Sequence, residues 1–291
     1  MRLLEVCNAL YQSREISRLT LANYIRAARY FSDWLGRDAE TQDLVEIKVN
    51  QWLVRELETR SKSYVKNLRR DFLIVWRFAA DLELAKQPSS RLVRKPRVEP
   101  REVTVWPVSW VPRLLAACQK LDGNLKSLPI SRAVYMEAYF RVQIDLLCRP
   151  SDVRGLCWPS IRGGSVRFTQ GKTFARHAAQ LSKETLEAIE QLRGIDQLRV
   201  FPLSKSSTEV LIAKVFELAG INKPEKQSLG HVRHTGGTEI ARRKGCDAAR
   251  IALGHAPESK VFERHYLSQE AITPTYYDWW RTDGPHLPVG S

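Results

Sequence analysis

The sequence predicts a mainly α-helical chain with one small β-hairpin sheet, an α+β fold in two domains. Three observations carry that expectation. Apolar residues recur at helical spacing from Leu21 to Ala79. A stretch rich in proline and arginine, Pro88 to Pro107, then breaks the period. Later, one segment from Ile161 to Gln180 alternates as a strand does, around glycine turns. At 291 residues the length suits two domains, at roughly 150 residues each. The spans read as 1–97 for a helical domain, 98–107 for a linker and 108–291 for the larger domain with its tail.

Composition narrows the function classes. With 43% hydrophobic and 27% charged residues the chain reads as a soluble globular protein. Lys plus Arg number 46 against 32 for Asp plus Glu, a formal charge of +14. Such a surface suits a polyanion, because each neutralised phosphate releases counterions. A solubilising surface explains the charge equally simply, so charge alone favours nucleic acid only modestly. The five cysteines are odd in number and form no Cys-x-x-Cys pair, which argues for reduced thiols and against a disulfide framework or zinc site. No apolar run reaches the roughly 18 residues of a membrane span, and no signal-peptide pattern opens the chain. The expectation is a cytoplasmic protein with no membrane partner.

In chain order, Thr20 is a candidate N-cap, followed by Leu21, Ile25, Ala28, Phe31 and Leu35 at helical spacing. A second helix is expected over Leu44 to Leu57, burying Ile47, Trp52 and Leu53. A third starts near Ser63 and carries Val65, Leu68, Phe72, Val75, Trp76 and Ala79 on one face. Lys62, Lys66, Arg69 and Arg70 crowd its N-terminal half, where the helix dipole favours acids. A DNA backbone nearby accounts for that cluster, and so does a solvated face. In the linker, Arg94, Lys95, Arg97 and Arg101 are candidate phosphate contacts or ordinary hinge charges.

Beyond it, helices are expected over Trp110 to Leu121 and Ala133 to Leu147. Pro150 breaks the second, leaving Arg149 at a helix end able to point into a cleft, with Asp152 placed to cap and hold its guanidinium. Gly163-Gly164 forms one turn of the hairpin and Gly171-Lys172-Thr173 a second. Helices over Thr185 to Leu192 and Thr208 to Ala219 read as scaffold. From Leu229 to Leu267 the chain packs His231, His234 and His255, Arg233 and Tyr266 into one block. Thr238 to Lys244 reads as helix with Gly245 as its C-cap, and Asp247 caps a short helix through Leu253. That set can hold a phosphate, stabilise its charge and attack it without metal-ligand geometry.

These residues resemble the signature of the tyrosine recombinases, the phage-type integrases. The family carries an Arg-His-Thr block, a glycine, a Leu-Gly-His block and then a nucleophilic tyrosine. Here Arg233-His234-Thr235, Gly245, Leu253-Gly254-His255 and Tyr266 match in order. Upstream, Arg149, Asp152, Leu156 and Trp158 match the family's first arginine, Arg-x-x-Glu/Asp and Leu-x-Trp. Lys172 matches a catalytic lysine carried in a hairpin. The resemblance implies a helical core-binding domain followed by a catalytic domain. It also implies a homotetramer on double-stranded DNA with a specific core site, and a metal- and ATP-independent reaction with no cofactor. The chain before Thr20 is too short for the arm-binding domain of the larger phage integrases, which leaves a compact Xer-like form acting on a short site.

By the same resemblance, Tyr266 attacks a DNA phosphodiester and forms a 3′-phosphotyrosyl link, and Lys172 protonates the leaving oxygen. His255 hydrogen-bonds the phosphate, and Arg149 and Arg233 meet the charge of the transition state, as planar guanidinium forks do. Two departures stand out. The family's histidine lies three residues before the second arginine, where this chain has Gly230. His231, one place later, is the candidate substitute base, although on a helix one residue is a turn of about 100°. Tyr266 also follows His255 at eleven residues, slightly further than the family pattern, with Tyr276 and Tyr277 as later alternatives. The tail aromatics Tyr276, Tyr277, Trp279 and Trp280 suit docking on a neighbouring subunit or packing on the same chain. Two other functions remain open: a DNA-binding regulator whose catalysis has decayed at Gly230, and a type IB topoisomerase-like enzyme.

Overall fold

A computed structural model describes residues 1–99, 103–171, 176–222 and 228–255. The chain divides into two compact units, Met1–Arg101 and Glu102–Ser291. The fold is mostly helical with a three-stranded antiparallel sheet, the predicted class. Among the described residues no helix is long and apolar enough to cross a membrane.

The first unit is built from α1 (Leu3–Ser13), α2 (Arg18–Leu35), α3 (Glu46–Thr59) and α4 (Lys62–Asp81). Helix α1 was not anticipated, yet Leu3, Val6, Cys7 and Leu10 are buried at i, i+3, i+4 and i+7. The cap of α2 is Ser17 rather than Thr20, whose own N–H donates to the Ser17 hydroxyl at 3.1 Å. Likewise Ser61 caps α4. Phe31, Trp52 and Phe72 meet at ring-centroid distances of 4.9–5.3 Å in the centre of this core. Ile47 is 73% exposed, contrary to expectation. The buried stripe of α3 is Val49, Trp52 and Leu53, and a residue two positions before Val49 stands on the opposite side of a helix.

The second unit surrounds α6 (Arg132–Leu146), and no residue from Ser131 to Pro150 is exposed. This depth of burial suits a largely apolar stretch, in which Glu137 and Arg141 keep part of their surface and pair with each other. Around it lie α5 (Trp110–Cys118), α7 (Pro150–Arg154), α8 (Lys183–Glu190), α9 (Lys205–Leu218) and α10 (His231–Ala252). Strands β1 (Ile161–Arg162), β2 (Ser165–Thr169) and β3 (Arg176–Gln180) form the sheet in sequence order. Phe168 pairs with His177 and Thr169 with Arg176, so β2 and β3 converge on the turn that contains Gly171.

Helix α10 starts at His231, a full two turns before Thr238, and is interrupted at Gly245 (φ 87°, ψ 164°). Two consecutive glycines, 236 and 237, hid this start. The structure gives Gly236 a packing role: a Cβ there would lie 2.4 Å from Leu147 Cδ2. The absent side chain lets α10 press against the end of α6. Asp247 falls in the segment after the kink, where it pairs with Arg250.

Candidate active site

The site is assembled where α6 ends. Leu147 follows α6 with φ 43°, ψ 27°, a left-handed conformation that costs a non-glycine residue about 1 kcal/mol or more. This turn is held from three sides. The Leu147 N–H donates to the Gln143 carbonyl at 3.1 Å, the buried Gln143 amide donates to the Cys148 carbonyl, and the Tyr139 hydroxyl donates to the Pro150 carbonyl at 3.2 Å. The Leu147 carbonyl then accepts from Arg233 Nη1 at 2.6 Å. Immediately afterwards Arg149 forms the N-cap position of α7, with Pro150 as the first helical residue.

Arg233 is 1% exposed. Besides Leu147 it donates through Nη2 to the Leu253 carbonyl at 2.7 Å, and Nη2 lies 3.0 Å from His255 Nε2. Its guanidinium therefore bolts the first turn of α10 to the end of α6 and to the last residues of α10. Burying a cation is costly unless its donors are satisfied, and two carbonyls and an imidazole nitrogen meet that need. A guanidinium only donates, so Nε2 of His255 accepts here and the proton of the neutral ring sits on Nδ1.

Arg149 is held differently. Its side chain keeps 21% of its surface, with Nη1 3.9 Å from Asp152 Oδ2. Nη1 also donates to Gln170 Oε1 at 2.9 Å. Asp152, the expected orienting residue, has its Oδ1 on the Gly171 N–H at 3.2 Å. It thus ties the arginine's helix to the hairpin turn that leads into Lys172. Gln170 was not singled out from the sequence, because a glutamine at a strand end has no signature of its own.

The closing element is Gly254 (φ 62°). A Cβ at this position would lie 2.6 Å from both Gln170 Nε2 and His177 Nδ1. Only glycine lets the end of α10 lie this close to β2 and β3 and deliver His255 to Arg233. Buried His177 has its pKa lowered, first by burial and then by the charge of Arg233, while the Leu146 carbonyl and Asp152 pull the other way. Burial pushes the pKa of the Cys148 thiol up to about 12, and that of the Tyr139 phenol likewise to about 12. Both are protonated scaffold groups rather than nucleophiles.

The structure thus brings together Arg149, Asp152, Arg233 and His255. His231 lies beside this group. Its ring stacks on Trp106 at 5.7 Å and on His234 at 5.0 Å, and its Nδ1 lies 3.2 Å from the Ser228 carbonyl. It is Gly230 that faces Pro150, where an added Cβ would stand 3.7 Å from Pro150 Cδ. His231 is the first residue of α10 rather than part of a loop, so the one-residue shift does rotate its side chain. Thr235 is structural, its hydroxyl accepting from the Trp106 N–H at 2.8 Å. Trp158 is structural too: its indole N–H donates to the Asp196 carbonyl at 3.1 Å, and Arg193 covers its face. Lys172, Tyr266, Tyr276, Tyr277, Trp279, Trp280 and Arg101 lie outside the described residues. Among the described residues, no cluster of three or more His, Cys, Asp or Glu is placed to hold a metal ion.

In the first unit, the expected DNA-facing cations divide. Lys62 and Lys66 on α4 are exposed, and neither forms an ion pair among the described residues. Arg70 is exposed but holds Asp71 through Nε and Nη2 at 2.9 and 2.8 Å. Arg69 is committed inward, donating to the Ser90 carbonyl at 2.8 Å and the Val93 carbonyl at 3.0 Å. It staples the segment after α4 to the helix, which removes it from the candidate phosphate contacts. Arg94, Lys95 and Arg97 are exposed.

Three solved structures locate this fold. A lambda integrase dimer bound to a COC′ core site superposes with TM-score 0.70 at 16% identity, covering 99% of this chain and 79% of that one. The Tn1549 transposon integrase (residues 82–397) in complex with circular intermediate DNA gives 0.65 at 12% identity, covering 98% and 100%. The XerH site-specific recombinase bound to palindromic difH substrate gives 0.64 at 16% identity, covering 92% and 81%. No protein-family model matches the chain, and no curated protein does. The chain has the fold of the tyrosine recombinases.

Proposed function

We propose that the protein is a site-specific DNA recombinase or integrase that cuts and rejoins DNA through a 3′-phosphotyrosyl intermediate. The observation that carries the reading is the convergence of Arg149, Arg233 and His255 on one corner of this fold, locked by carbonyls at Leu147 and Leu253. Guanidinium groups fixed before the substrate arrives are what a phosphoryl-transfer transition state needs, since its added charge lies on the non-bridging oxygens.

In this mechanism the Tyr266 oxygen forms a bond to phosphorus and the bond from phosphorus to the 5′ oxygen breaks. The tyrosine proton passes to a base and the leaving oxygen takes a proton from Lys172. Bond energy is kept in the phosphotyrosyl link, so rejoining by a 5′-hydroxyl requires neither ATP nor a metal. Arg149 and Arg233 hold the phosphate and His255 donates to it. His231 is the proposed base, and to serve it must turn from its stack on Trp106 toward the Gly230 side. The first unit serves as the core-binding domain, with Lys62, Lys66, Arg70, Arg94, Lys95, Arg97 and Arg101 on the DNA backbone. The working assembly is a homotetramer on a specific duplex site, as expected of a mobile element's enzyme. Glycine at 230 favours one second reading, a regulator that binds DNA at a site without cutting it.

The test is covalent trapping on nicked duplexes tiled from the DNA flanking the gene, comparing wild type with Tyr266→Phe on a denaturing gel. The expected result is a protein–DNA band that disappears in the variant. A band that persists moves the nucleophile to Tyr276 or Tyr277. Tight binding to one duplex with no band supports the regulator, whereas cleavage without site preference supports a topoisomerase.

A further inference from the structure

Gln170 is 1% exposed and sits between the hairpin and the two arginines. Its carbonyl oxygen accepts from Arg149 Nη1 at 2.9 Å, and its amide nitrogen donates to the Leu253 carbonyl at 3.3 Å. That same carbonyl accepts from Arg233 Nη2 at 2.7 Å. We infer that Gln170 is a positioning residue that sets Arg149 in register with Arg233 through their shared tie to the Leu253 carbonyl. The inference rests on the recombinase reading for its consequence, though not for its geometry.

The chemistry favours an amide. Arg149 offers only donors, so its partner must accept; a backbone carbonyl offers only lone pairs, so its partner must donate. One side chain meets both needs only if it carries an acceptor and a donor on the same planar group, as glutamine does. A glutamate would keep the bond to Arg149 but set an oxygen against the Leu253 carbonyl and neutralise the charge meant for phosphate. A leucine of similar length would lose both bonds and leave the carbonyl underused. Gly254 belongs to the same device, because a Cβ there would strike the Gln170 amide nitrogen at 2.6 Å. Since Arg149 has a fifth of its side chain open to solvent and Arg233 has almost none, only the former needs an external brace. Tilting its fork by an ångström changes the bidentate fit to phosphate, a displacement able to cost on the order of 100-fold in rate.

Two readouts on the full-length protein test this. In single-turnover trapping, Gln170→Leu is expected to slow cleavage roughly 10- to 100-fold, with duplex affinity within about twofold of wild type, and Gln170→Glu at least as much. In an Arg149→Ala background, Gln170→Leu is expected to cause no further loss, because its effect passes through that arginine. An equal loss in both backgrounds, or full-rate cleavage by folded Gln170→Leu, overturns the assignment. The second readout is the ¹⁵N–¹H side-chain spectrum of the arginines. Gln170→Leu should broaden or average the Arg149 guanidinium signals and leave those of Arg233 in place. Unchanged Arg149 signals overturn the assignment. A wild type that never forms a covalent band defeats the recombinase reading, and the spectrum still decides whether Gln170 orders Arg149.

Discussion

Positive charge is held in two regions of this chain, and the two hold it in opposite ways. On α4, Lys62 and Lys66 stand exposed without ion pairs among the described residues. At the end of α6, Arg233 is 1% exposed and its fork is fixed by two carbonyls and His255. Flexible lysines in water act as a diffuse field that a phosphate backbone meets anywhere along a groove, and salt screens them. A buried guanidinium acts at one point, is screened little and pays no reorganisation when charge develops there. The first arrangement suits binding and the second suits chemistry. Intermediate cases confirm the division: Arg37 and Lys48 are spent on buried Asp43, and Arg69 on the carbonyls after α4.

The largest expected effect follows from breaking the buried arrangement. Arg233→Lys puts one ammonium where a fork reached Leu147, Leu253 and His255 at once. Cleavage is expected to fall by about 10²–10³, the scale for losing one preorganised donor. The melting temperature should fall as well, because buried carbonyls at both ends of the corner lose donors. Arg149→Lys should reduce cleavage on a similar scale yet leave melting nearly unchanged, since that side chain is partly solvated and anchors less of the fold. Trapping rates and thermal melts on the two variants check the contrast, and equal losses of stability would remove the distinction drawn here between a buried bolt and a braced, open arginine.

A smaller effect belongs to α4. Lys62→Ala with Lys66→Ala should weaken duplex binding about equally on all sequences. The slope of log affinity against log salt should lessen by up to about 2 if each lysine neutralises one phosphate. Arg69→Ala should leave that slope alone and lower the melting temperature, because its bonds are internal. A salt titration of the variants separates the two kinds of cation, and an altered slope for Arg69→Ala would return it to the DNA-facing set.

How much of this was legible beforehand depends on what kind of contact holds each residue. The helices of the first unit announce themselves by periodic burial, although Ile47 shows that an apolar residue near a helix start is easily assigned to the wrong face. Arg149 and Arg233 were legible as motif members, but the burial of Arg233 was not, since it depends on carbonyls 86 and 20 residues away in sequence. Gly254 was legible only as a motif member and Gly236 not at all, yet both are points of close approach, to Gln170 with His177 and to Leu147. Gln170 was invisible for the same reason: its partners are Arg149 and a carbonyl 83 residues distant. Local propensity carries no information about such long-range contacts.

His177 gives the finest probe of the buried charge. It lies on β3 with 5% of its surface exposed, edge-on to Phe168 at 5.4 Å, and its Nε2 has no hydrogen-bond partner among the described residues. Burial lowers its pKa below the ordinary 6.5, and the charge of Arg233 lowers it further. The folded protein therefore keeps this imidazole neutral, whereas the unfolded chain takes up the proton near pH 6.5. The unfolded state binds more protons, so stability rises with pH. The contribution is complete above about pH 6.5 and is lost as pH falls from there through the lower, folded value. Melting temperatures measured from pH 7.5 down to 5.5, values chosen to bracket roughly one unit either side of a free imidazole, should decline more steeply for wild type than for His177→Gln. Parallel declines would mean that this histidine is not the group that titrates. Replacing Arg233 by glutamine sharpens the test: the His177 resonances, followed by NMR, should then titrate at higher pH, because the repelling charge has gone while the burial remains. An unmoved titration would mean that the field of Arg233 does not reach β3, and the corner would be held by hydrogen bonds alone.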